Sequence, residues 1–299
     1  MTSSRRRSAL VLISSVAATV AASTAFSVVG ATTGPADTVE AGSRPAPLAI
    51  SAVPQRLDVV GLPCFPGRLA VSMTNTGKEP MYADLVVDPS GPLTLSRELF
   101  SSYLPAVDPD QPVTAPVEVR VPRTATPGSY EIELESDRSR LTVPVQVQPL
   151  PPKGAGSNLA LGEQAAASST HGNFSLCGAV DGDADSEHWS TSTGWNDGTS
   201  RVFPDNYDVA LAEPSTVDRV ELYTLNSSRY SAASVGLRDW DVQLRSGGTW
   251  TTVAQVRGNT TGKVTSTFTP TTADAVRILA RDSNDHNYSR IVELEIYGR

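Results

Sequence analysis

Short runs of alternating apolar and polar residues recur along the chain, and this pattern restricts it to β structure. Between residues 47 and 148 the runs are LAISAV, RLAVSMTN, MYADLVVD, VEVRVP, YEIELES and LTVPVQVQ. Turn sequences such as Asn-Thr-Gly, Asp-Pro-Ser-Gly and Thr-Pro-Gly separate them. A period of two buries one face of a strand and leaves the other in solvent. We therefore predict six or seven strands forming a two-sheet sandwich.

A second set of alternating runs follows the Pro- and Gly-rich segment PLPPKGAGS at 149–157, which we interpret as a linker. From residue 158 to 299 the runs are RVELYTL, WDVQLRS, TWTTVAQV, TSTFTP, AVRILAR and RIVELEIYG. The chain has 22 glycines and 22 prolines, and no helical spacing of Ala, Leu, Glu and Lys occurs after the first 30 residues. These features predict an all-β protein of two domains, 47–148 and 158–299.

The first 31 residues have the pattern of a secretory signal peptide. Arg5 to Arg7 form a basic start, and a short apolar segment ends near Ala31, where we place cleavage. A retained membrane anchor is the alternative. Residues 32–46 are polar and rich in small residues, which predicts a flexible leader. We expect a secreted, extracellular protein with no membrane insertion after cleavage.

Charge narrows the range of partners. Removal of the first 31 residues leaves 21 basic against 32 acidic residues. Such an acidic chain disfavours binding to nucleic acid or to anionic membranes. We expect a monomer. Cys64 and Cys177 are the only cysteines and lie in different predicted domains. In an oxidising compartment they either pair and join the domains or remain as two separately buried thiols.

The most concentrated chemistry lies in CGAVDGDADSEHW at 177–189, which holds four carboxylates in seven residues. An EF-hand loop that starts at Asp181 needs Gly at its sixth position and Glu at its twelfth. Ser186 and Ser192 occupy those positions, so an EF-hand is excluded. Acids bunched in a turn are also a poor general acid/base pair, which needs two carboxylates in different environments within a cleft.

An ordered series of motifs in the second domain resembles the discoidin domain, also called the coagulation-factor type C domain. The series consists of NLALGEQAAASS, AVDGD, Trp189-Ser190, GWNDGT, FPDNYDVAL, VDRVELYTL, RDWDVQL, GGTWTTVAQV and RIVELEIYG. Bacterial members of this family include family 32 carbohydrate-binding modules. The resemblance implies a jelly-roll-like β-sandwich that binds ligands and does not catalyse. In the first domain, RVPRTATPGSYEIELES and LTVPVQV resemble bacterial immunoglobulin-like domains of secreted glycosidases, which implies a spacer or interaction role.

The resemblance also implies a structural Ca²⁺ held between the acidic loop and the last strand. Carried over to this chain, its ligands are the Ala179 carbonyl, the Asp181 carboxylate, an Asp183 oxygen, the Ser186 oxygens and Glu293. One extra residue separates Asp181 from Trp189, which leaves open whether Asp183 or Asp185 is the ligand. An acidic turn without a metal is the alternative.

Glycan recognition needs aromatic faces and hydrogen-bonding groups on loops. Trp189, Trp240 and Trp250 stand at positions that the family fills with core aromatics. Trp195, in the Gly-flanked loop GWNDGT, is the tryptophan best placed for sugar stacking, with packing on the sandwich rim as its alternative. The loops 226–239 and 282–290 supply the remaining candidate ligand residues, which are Asn226, Arg229, Tyr230, His286 and Tyr288. Solvated loops carry the same residue types.

A galactose assignment does not carry over. Galactose-binding members have His where this chain has Ser190, and Arg where it has Asn226. The sequence contains none of Gly-x-Ser-x-Gly, His-Glu-x-x-His or a Gly-rich phosphate loop. The function predicted is that of a secreted, noncatalytic protein that binds extracellular glycan or polysaccharide. The alternatives are an adhesion module that binds protein and an accessory part of a glycoside hydrolase system.

Overall fold

The computed structural model describes residues 47–106, 111–137, 139–154 and 156–298. The predicted signal peptide (1–31) and leader (32–46) lie outside the described residues. Within the described ranges, no helix has both the length and the apolar character needed to cross a membrane. Strands dominate both halves of the described chain, and they pack as sandwiches, so the prediction of an all-β fold is confirmed.

Among the described residues, nine strands form the first domain, three more than the alternating runs indicate. They are β1 (Leu48–Val53), β2 (Leu57–Val60), β3 (Gly67–Asn75), β4 (Met81–Pro89), β5 (Thr94–Leu95), β6 (Leu99–Leu104), β7 (Val113–Arg120), β8 (Gly128–Ser136) and β9 (Ser139–Gln148). The three without a predicted counterpart are β2, β5 and β6, which are six residues or shorter. β2 and β5 hold too few alternations to stand out in a sequence, and LFSSYL of β6 does not alternate apolar and polar residues.

Two sheets build this domain. One has the strand order β1-β3-β7-β5, and the other has the order β2-β9-β8-β4-β6 with β2 parallel to β9. The alternation predicted for β4 is present, since Ala83, Leu85 and Val87 are buried between exposed neighbours. Inward-facing residues of both sheets form a single hydrophobic core, as expected for a two-sheet sandwich.

Between residues 156 and 298, the second domain contains seven strands and three short helical turns. The strands are β10 (Ala165–Ala167), β11 (Trp195–Asn196), β12 (Asp205–Thr224), β13 (Leu237–Ser246), β14 (Thr249–Val256), β15 (Lys263–Ser283) and β16 (Arg290–Gly298). The turns are two 3₁₀ helices, η1 (Leu176–Ala179) and η2 (Ser186–His188), and the α-helical turn α1 (Ala232–Val235). The strand order is β11-β16-β12-β15-β13-β14, and β10 pairs with the first part of β12.

The two longest strands, β12 and β15, bend so that the sheet folds over itself. Their shared ladder shifts register between Ala210 and Ser215 and again between Val217 and Arg219. The first part of β12 pairs with β10, whereas the second part pairs with β16. Residues from both parts, such as Val209 and Leu222, lie in one hydrophobic core. The runs TSTFTP and AVRILAR, which we predicted as separate strands, are therefore the two arms of β15.

A disulfide between Cys64 and Cys177 joins the loop after β2 to η1. The sequence left open whether these cysteines pair, and the fold brings them together. Beside the bond, the Cys64 amide donates to the Gly162 carbonyl (2.9 Å). Gly162 has φ of +67°, and a Cβ there would lie 2.8 Å from the Phe65 ring. Glycine permits both the turn and the close approach of the two segments.

A buried carboxylate strengthens the same junction. The Glu163 side chain, 3% exposed, pairs with Arg123 (2.6 Å) and with Lys153 (2.7 Å). Arg123 follows the first sandwich's β7, Lys153 lies in the linker, and Glu163 precedes β10. One acid thus connects three segments, and removal of either cation would leave buried charge poorly compensated.

Candidate functional site

Loops from distant parts of the second domain converge at one end of its sandwich. They follow β10, β12 and β15, and they precede β11, β13 and β16. Together they enclose an open cleft with a volume of about 360 Å³. The residues that line it are His171, Phe174, Trp189, Asn196, Leu225, Tyr230, Val235, Tyr288 and Arg290.

Aromatic rings form a continuous arc in this cleft. The Phe174 ring lies 5.1 Å from Trp189 and 5.9 Å from His171, measured between centroids. His171 in turn contacts Tyr288 edge-on, with a centroid distance of 6.3 Å. Behind Trp189, Gly194 has φ of +85°, and a Cβ at Gly194 would lie only 2.2 Å from the indole ring. Glycine therefore lets Trp189 lie flat against the backbone.

The polar groups of the cleft are fixed by neighbouring residues. Arg290 donates to the Val235 carbonyl (2.8 Å) and pairs with Asp285 (3.0 Å). Burial works against ionisation of Asp285, but hydrogen bonds from Arg290 and Ser283 lower its pKa below the ordinary value. The Asn196 amide donates to the Asp197 carbonyl (3.1 Å). Because these side chains are held before any ligand arrives, little ordering is needed on binding.

The loops around the cleft are also tied to one another. The Glu187 carboxylate accepts hydrogen bonds from the backbone amide and hydroxyl of Ser228. The backbone N–H of Asn226 donates to the Ser186 hydroxyl (3.1 Å). These contacts fasten the loop that carries Tyr230 to η2, next to Trp189.

Two buried carboxylates hold the loop that carries Tyr288. Asp197 accepts the Ser289 amide (2.6 Å), and Asp205 accepts the Ser289 hydroxyl (2.8 Å). Asp205 also accepts the Ser168 hydroxyl (3.2 Å), which links the loop after β10 to the same cluster. Burial raises the pKa of Asp205 to about 6, and the nearby charge of Asp197 adds to this effect.

The predicted ligand residues divide into two groups. Tyr230 and Tyr288 line the cleft. Asn226, Arg229 and His286 do not. The Asn226 side chain accepts the Ala232 amide (3.0 Å) and so caps the loop, and His286 turns to Asp282 (2.9 Å). Arg229 is exposed, with its guanidinium 5.1 Å from the centroid of the neighbouring Tyr230 ring.

The assignment of the tryptophans needs correction. Trp195 is fully buried, packs against Tyr207 (5.1 Å) and donates to the Ser169 carbonyl (3.2 Å). A sugar ring has no access to it, so the prediction that Trp195 binds ligand is wrong. Trp189, which we placed in the core, is partly exposed in the cleft. Trp240 is buried as expected.

Trp250 also departs from the predicted core position. It is partly exposed, with the Arg277 guanidinium 4.1 Å from the centroid of its ring. It does not line the cleft.

Sequence reasoning missed seven of the cleft residues, namely the aliphatic Leu225 and Val235 and the aromatic or polar His171, Phe174, Trp189, Asn196 and Arg290. His171 and Phe174 lie in STHGNFS, a polar segment with two loop aromatics. That density of aromatic residues in a segment without strand periodicity is a signal that could have identified the segment. Arg290 is the first residue of β16 and Asn196 is the last residue of β11. Nothing in the sequence distinguishes them from residues with a purely structural role.

The acidic loop 181–187 is ordered by its own side chains. Asp181 accepts the Asp183 amide (2.8 Å), Asp183 accepts the Asp185 amide (3.0 Å), and Asp185 accepts the Glu187 amide (2.9 Å). Each of the three Asp side chains thus accepts the backbone N–H two residues further on, which forms three successive Asx turns. The second oxygen of Asp183 contacts His188 Nδ1 (2.8 Å), and this contact raises the pKa of the histidine.

Glu293 reaches this loop from β16. Its side chain is fully buried, Oε1 accepts the Gly182 amide (3.2 Å), and Oε2 has no hydrogen-bond partner among the described residues. Burial raises the pKa of Glu293 to about 9, and repulsion from the Asp181 carboxylate adds to this effect. A buried, unpartnered carboxylate oxygen beside a second carboxylate is a donor set suited to a hard cation.

Some of the other predicted ligands have side-chain oxygens that are already engaged in hydrogen bonds. Both Asp183 side-chain oxygens are engaged within the loop, which leaves its carbonyl as the donor. The Ser186 hydroxyl accepts the Asn226 amide. Among the described residues, no group of three or more His, Cys, Asp or Glu side chains is placed to hold a metal. Backbone oxygens, Ala179 included, would have to complete the coordination.

Comparison with known proteins identifies the second domain. Residues 164–294 match the family model for the F5/8 type C domain. No curated protein gave a match. Chitosan-binding module 1 from a Paenibacillus sp. IK-5 chitosanase/glucanase is 30% identical, over 48% of this chain and 99% of the module, with a TM-score of 0.39.

Two further solved structures resemble the chain at lower identity. The lectin domain of lectinolysin, complexed with Lewis B antigen, is 23% identical over 49% of this chain and 99% of that domain (TM-score 0.41). The family 32 carbohydrate-binding module of Streptococcus pneumoniae EndoD is 22% identical over 48% of this chain and 100% of that module (TM-score 0.40). Through residues 164–294 the chain belongs to the F5/8 type C, or discoidin, family.

Proposed function

We propose that the protein binds an extracellular glycan or polysaccharide in the cleft formed by the loops of its discoidin domain, without catalysing a reaction on it. The observation that carries this proposal is the aromatic arc of Trp189, Phe174, His171 and Tyr288, open to solvent and flanked by fixed polar groups. Sugar rings present apolar faces that stack on aromatic side chains and hydroxyls that need hydrogen-bond partners.

Each side chain has a distinct part in this binding. Trp189 and Phe174 supply the apolar surface on which a sugar ring stacks. Arg290, which is held by Asp285, donates to ring hydroxyls, and Asn196 offers both a donor and an acceptor. Tyr230 and Tyr288 line the cleft from two different loops, and their hydroxyl groups would add hydrogen bonds to the sugar.

A binding role without catalysis is supported by the state of the nearby acids. Glu187 is bonded to Ser228, Asp285 to Arg290, and Asp197 to backbone amides. A general acid/base pair needs carboxyl groups aimed at the substrate. Within the part of the chain that the structure describes, no acidic residue lines the cleft. Secretion, which the disulfide favours, completes the proposal of an extracellular glycan-binding protein.

Calcium is proposed as a structural cofactor of the same domain. Asp181 and Glu293, together with the Ala179 carbonyl and oxygens of Asp183 and Ser186, would hold the ion. The unpartnered Glu293 Oε2 supports this assignment. A bound divalent cation would compensate the two carboxylates and connect the acidic loop to β16. The loop continues into η2 and Trp189, so the ion would also steady one wall of the cleft.

Glycan binding is tested by a glycan-array screen of the purified protein, followed by calorimetric titration with the best oligosaccharide. We expect Tyr288→Ala and Trp189→Ala each to weaken binding tenfold or more, about 1.4 kcal/mol or greater. Trp250→Ala removes another partly exposed tryptophan, outside the cleft, and should leave affinity unchanged. Failure to retain any glycan, or equal losses in all three variants, would refute the proposal.

Calcium is tested by thermal unfolding with added Ca²⁺ and with chelator. We expect the midpoint to fall on chelation in the unaltered protein, because an ion that binds only the folded state stabilises it. Glu293→Gln should abolish the response to Ca²⁺ while Glu295→Gln, a matched change two residues away on β16, retains it. Identical midpoints with and without chelator would exclude a structural calcium.

A further inference from the structure

The first sandwich exposes an apolar patch along β4 and β6. Tyr82 is 82% exposed, Leu99 55%, Tyr103 50% and Val86 48%. The register places Tyr82 opposite Tyr103 and Val86 opposite Leu99, so all four side chains share one face. The two tyrosine rings contact each other at 5.1 Å. An apolar patch of this kind on a soluble domain marks an interaction surface.

The patch lies at an open edge of its sheet. β6 ends the strand order β2-β9-β8-β4-β6, so one side of its backbone has no neighbouring strand among the described residues. Its sequence, LFSSYL, contains no charge and no proline. Edge strands normally carry lysine, proline or a bulge that prevents pairing with another chain. The opposite edge is different, because β2 is four residues long and contains Asp58, which Arg56 accompanies.

We propose that β6 pairs antiparallel with β6 of a second copy and forms a weak, two-fold symmetric dimer with a continuous sheet. In an antiparallel pair, opposing residues lie on the same face. A two-fold axis at Ser101 sets Leu99 opposite Tyr103 of the second copy and Ser101 opposite itself. Exposed apolar residues then meet apolar residues, and the inward Phe100 meets Ser102. This register matches faces and places no charged residue opposite another within the strand.

Charge excludes the alternative in which two copies stack face to face. Asp84 lies on the same outer face, between Tyr82 and Val86 and opposite Ser101. A second patch laid over the first would bury two Asp84 carboxylates with no cation supplied by the patch, which is costly. Pairing through the edge leaves Asp84 one strand behind the interface and in water.

The area available sets the strength of the pairing. Pairing through the edge brings Leu99 and Tyr103 of each copy together, whereas Tyr82 lies one strand behind on β4. An aromatic side chain buries about 150–250 Å² when fully covered, and Tyr103 is already half buried, so its two copies offer on the order of 150–250 Å², to which Leu99 and the strand hydrogen bonds add. Stable dimers bury about 1,200 Å² or more. The dimer is therefore concentration-dependent, and the dilute protein is the monomer that the sequence predicts. A dimer also carries two clefts, which raises its avidity for a polymeric ligand.

Sedimentation velocity of the purified protein over a range from low micromolar to high micromolar concentration tests this proposal. We expect the average mass to rise towards that of two chains. Ser101→Lys places two ammonium groups opposite each other at the axis and should weaken association about tenfold or more, since like charges directly opposite destabilise a strand pair. Thr142→Lys, on the exposed face of β9 in the same sheet, adds the same charge away from the edge and should dimerise normally.

Hydrogen exchange at the backbone of β6 provides a measurement that does not depend on a variant. Protection of the Ser101–Tyr103 amides should increase with concentration while that of β2 does not. A constant monomer mass at every concentration, or undiminished association of Ser101→Lys, would overturn the proposal.

Discussion

The two sandwiches differ in where they depart from regular strand structure. In the first domain no strand exceeds ten residues, and the exceptional feature is an uncovered sheet edge. In the second domain, strands of 20 and 21 residues bend around one core, and the exceptional feature is a cluster of loops tied together at one end. A sheet edge offers pairing with another strand, whereas tied loops offer a shaped cleft. Each domain therefore presents a different kind of binding surface.

The largest effect should come from deleting the tryptophan in the core beneath the cleft. Trp195→Ala removes a fully buried ring and leaves its hydrogen-bond acceptors unpaired, which should cost about 3–5 kcal/mol. Chemical denaturation measures the loss, with Trp250→Ala as the control that should cost much less. Equal losses in the two variants would show that the distinction between buried and exposed tryptophan is mistaken.

Separating the two domains should have the next largest effect. The variant with Cys64→Ser and Cys177→Ser removes the only covalent link between them besides the linker, and loss of such a bond costs about 2–5 kcal/mol. We expect the unfolding transition to move to lower temperature and to broaden or split in calorimetry. A single transition at the original midpoint would show that the noncovalent contacts around Glu163 suffice.

The pH dependence of folding stability should show the effect of the buried Asp205, which holds the loop that carries Tyr288. Burial raises the pKa of Asp205 to about 6, above its value in an unfolded chain. The folded state therefore binds this proton more tightly, so the contribution to stability is present below about pH 4 and is lost as the pH rises through 6. A change of this size is worth about 2–3 kcal/mol.

Asp205→Asn isolates this contribution. The fall in stability between pH 4 and pH 7, measured by denaturation, should be smaller in the variant than in the unaltered protein, because the contribution of Glu293, whose pKa is also raised, is common to both. Asp208→Asn, a control in the same strand whose carboxylate pairs with Arg277, should keep the original pH profile over that range. An identical profile for all three proteins would exclude a protonated Asp205.

The smallest expected effect, that of Arg229→Ala on glycan affinity, tests where the cleft ends. Arg229 is exposed beside Tyr230 but does not line the cleft, so Arg229→Ala should change glycan affinity by less than about 0.5 kcal/mol. Tyr230→Ala should reduce it measurably in the same titration. A loss in Arg229→Ala that equals the loss in Tyr230→Ala would extend the site beyond the aromatic arc.

The regular parts of both domains could be predicted because strand alternation is a local property. The runs LAISAV, TWTTVAQV and RIVELEIYG coincide with β1, β14 and β16 at both ends. The short strands β2, β5, β10 and β11 gave no such signal, since they are held by their neighbours and not by their own pattern. The union of two predicted runs in β15 also depends on pairing with β12 and β13.

The site was predicted only in part. Two loops rich in amides and phenols supplied Tyr230 and Tyr288, but the same criterion also selected Asn226, Arg229 and His286. Trp195 and Trp189 were exchanged between core and surface, because a glycine-flanked loop looks exposed in a sequence and because the resembled family has a core aromatic at the position of Trp189. The β11–β16 pairing draws Trp195 inward, and Gly194 leaves room for Trp189 outside.

The sequence by itself determined an all-β chain of the discoidin family, because alternation and ordered motifs persist whatever the neighbours of each residue are. Only the tertiary structure decided that Cys64 meets Cys177, that Trp195 is buried, and which aromatic rings share a cleft. Each of these depends on contacts between residues about 100 positions apart, or on burial by a distant strand. Burial and distance arise from the packed chain, and no local pattern encodes them.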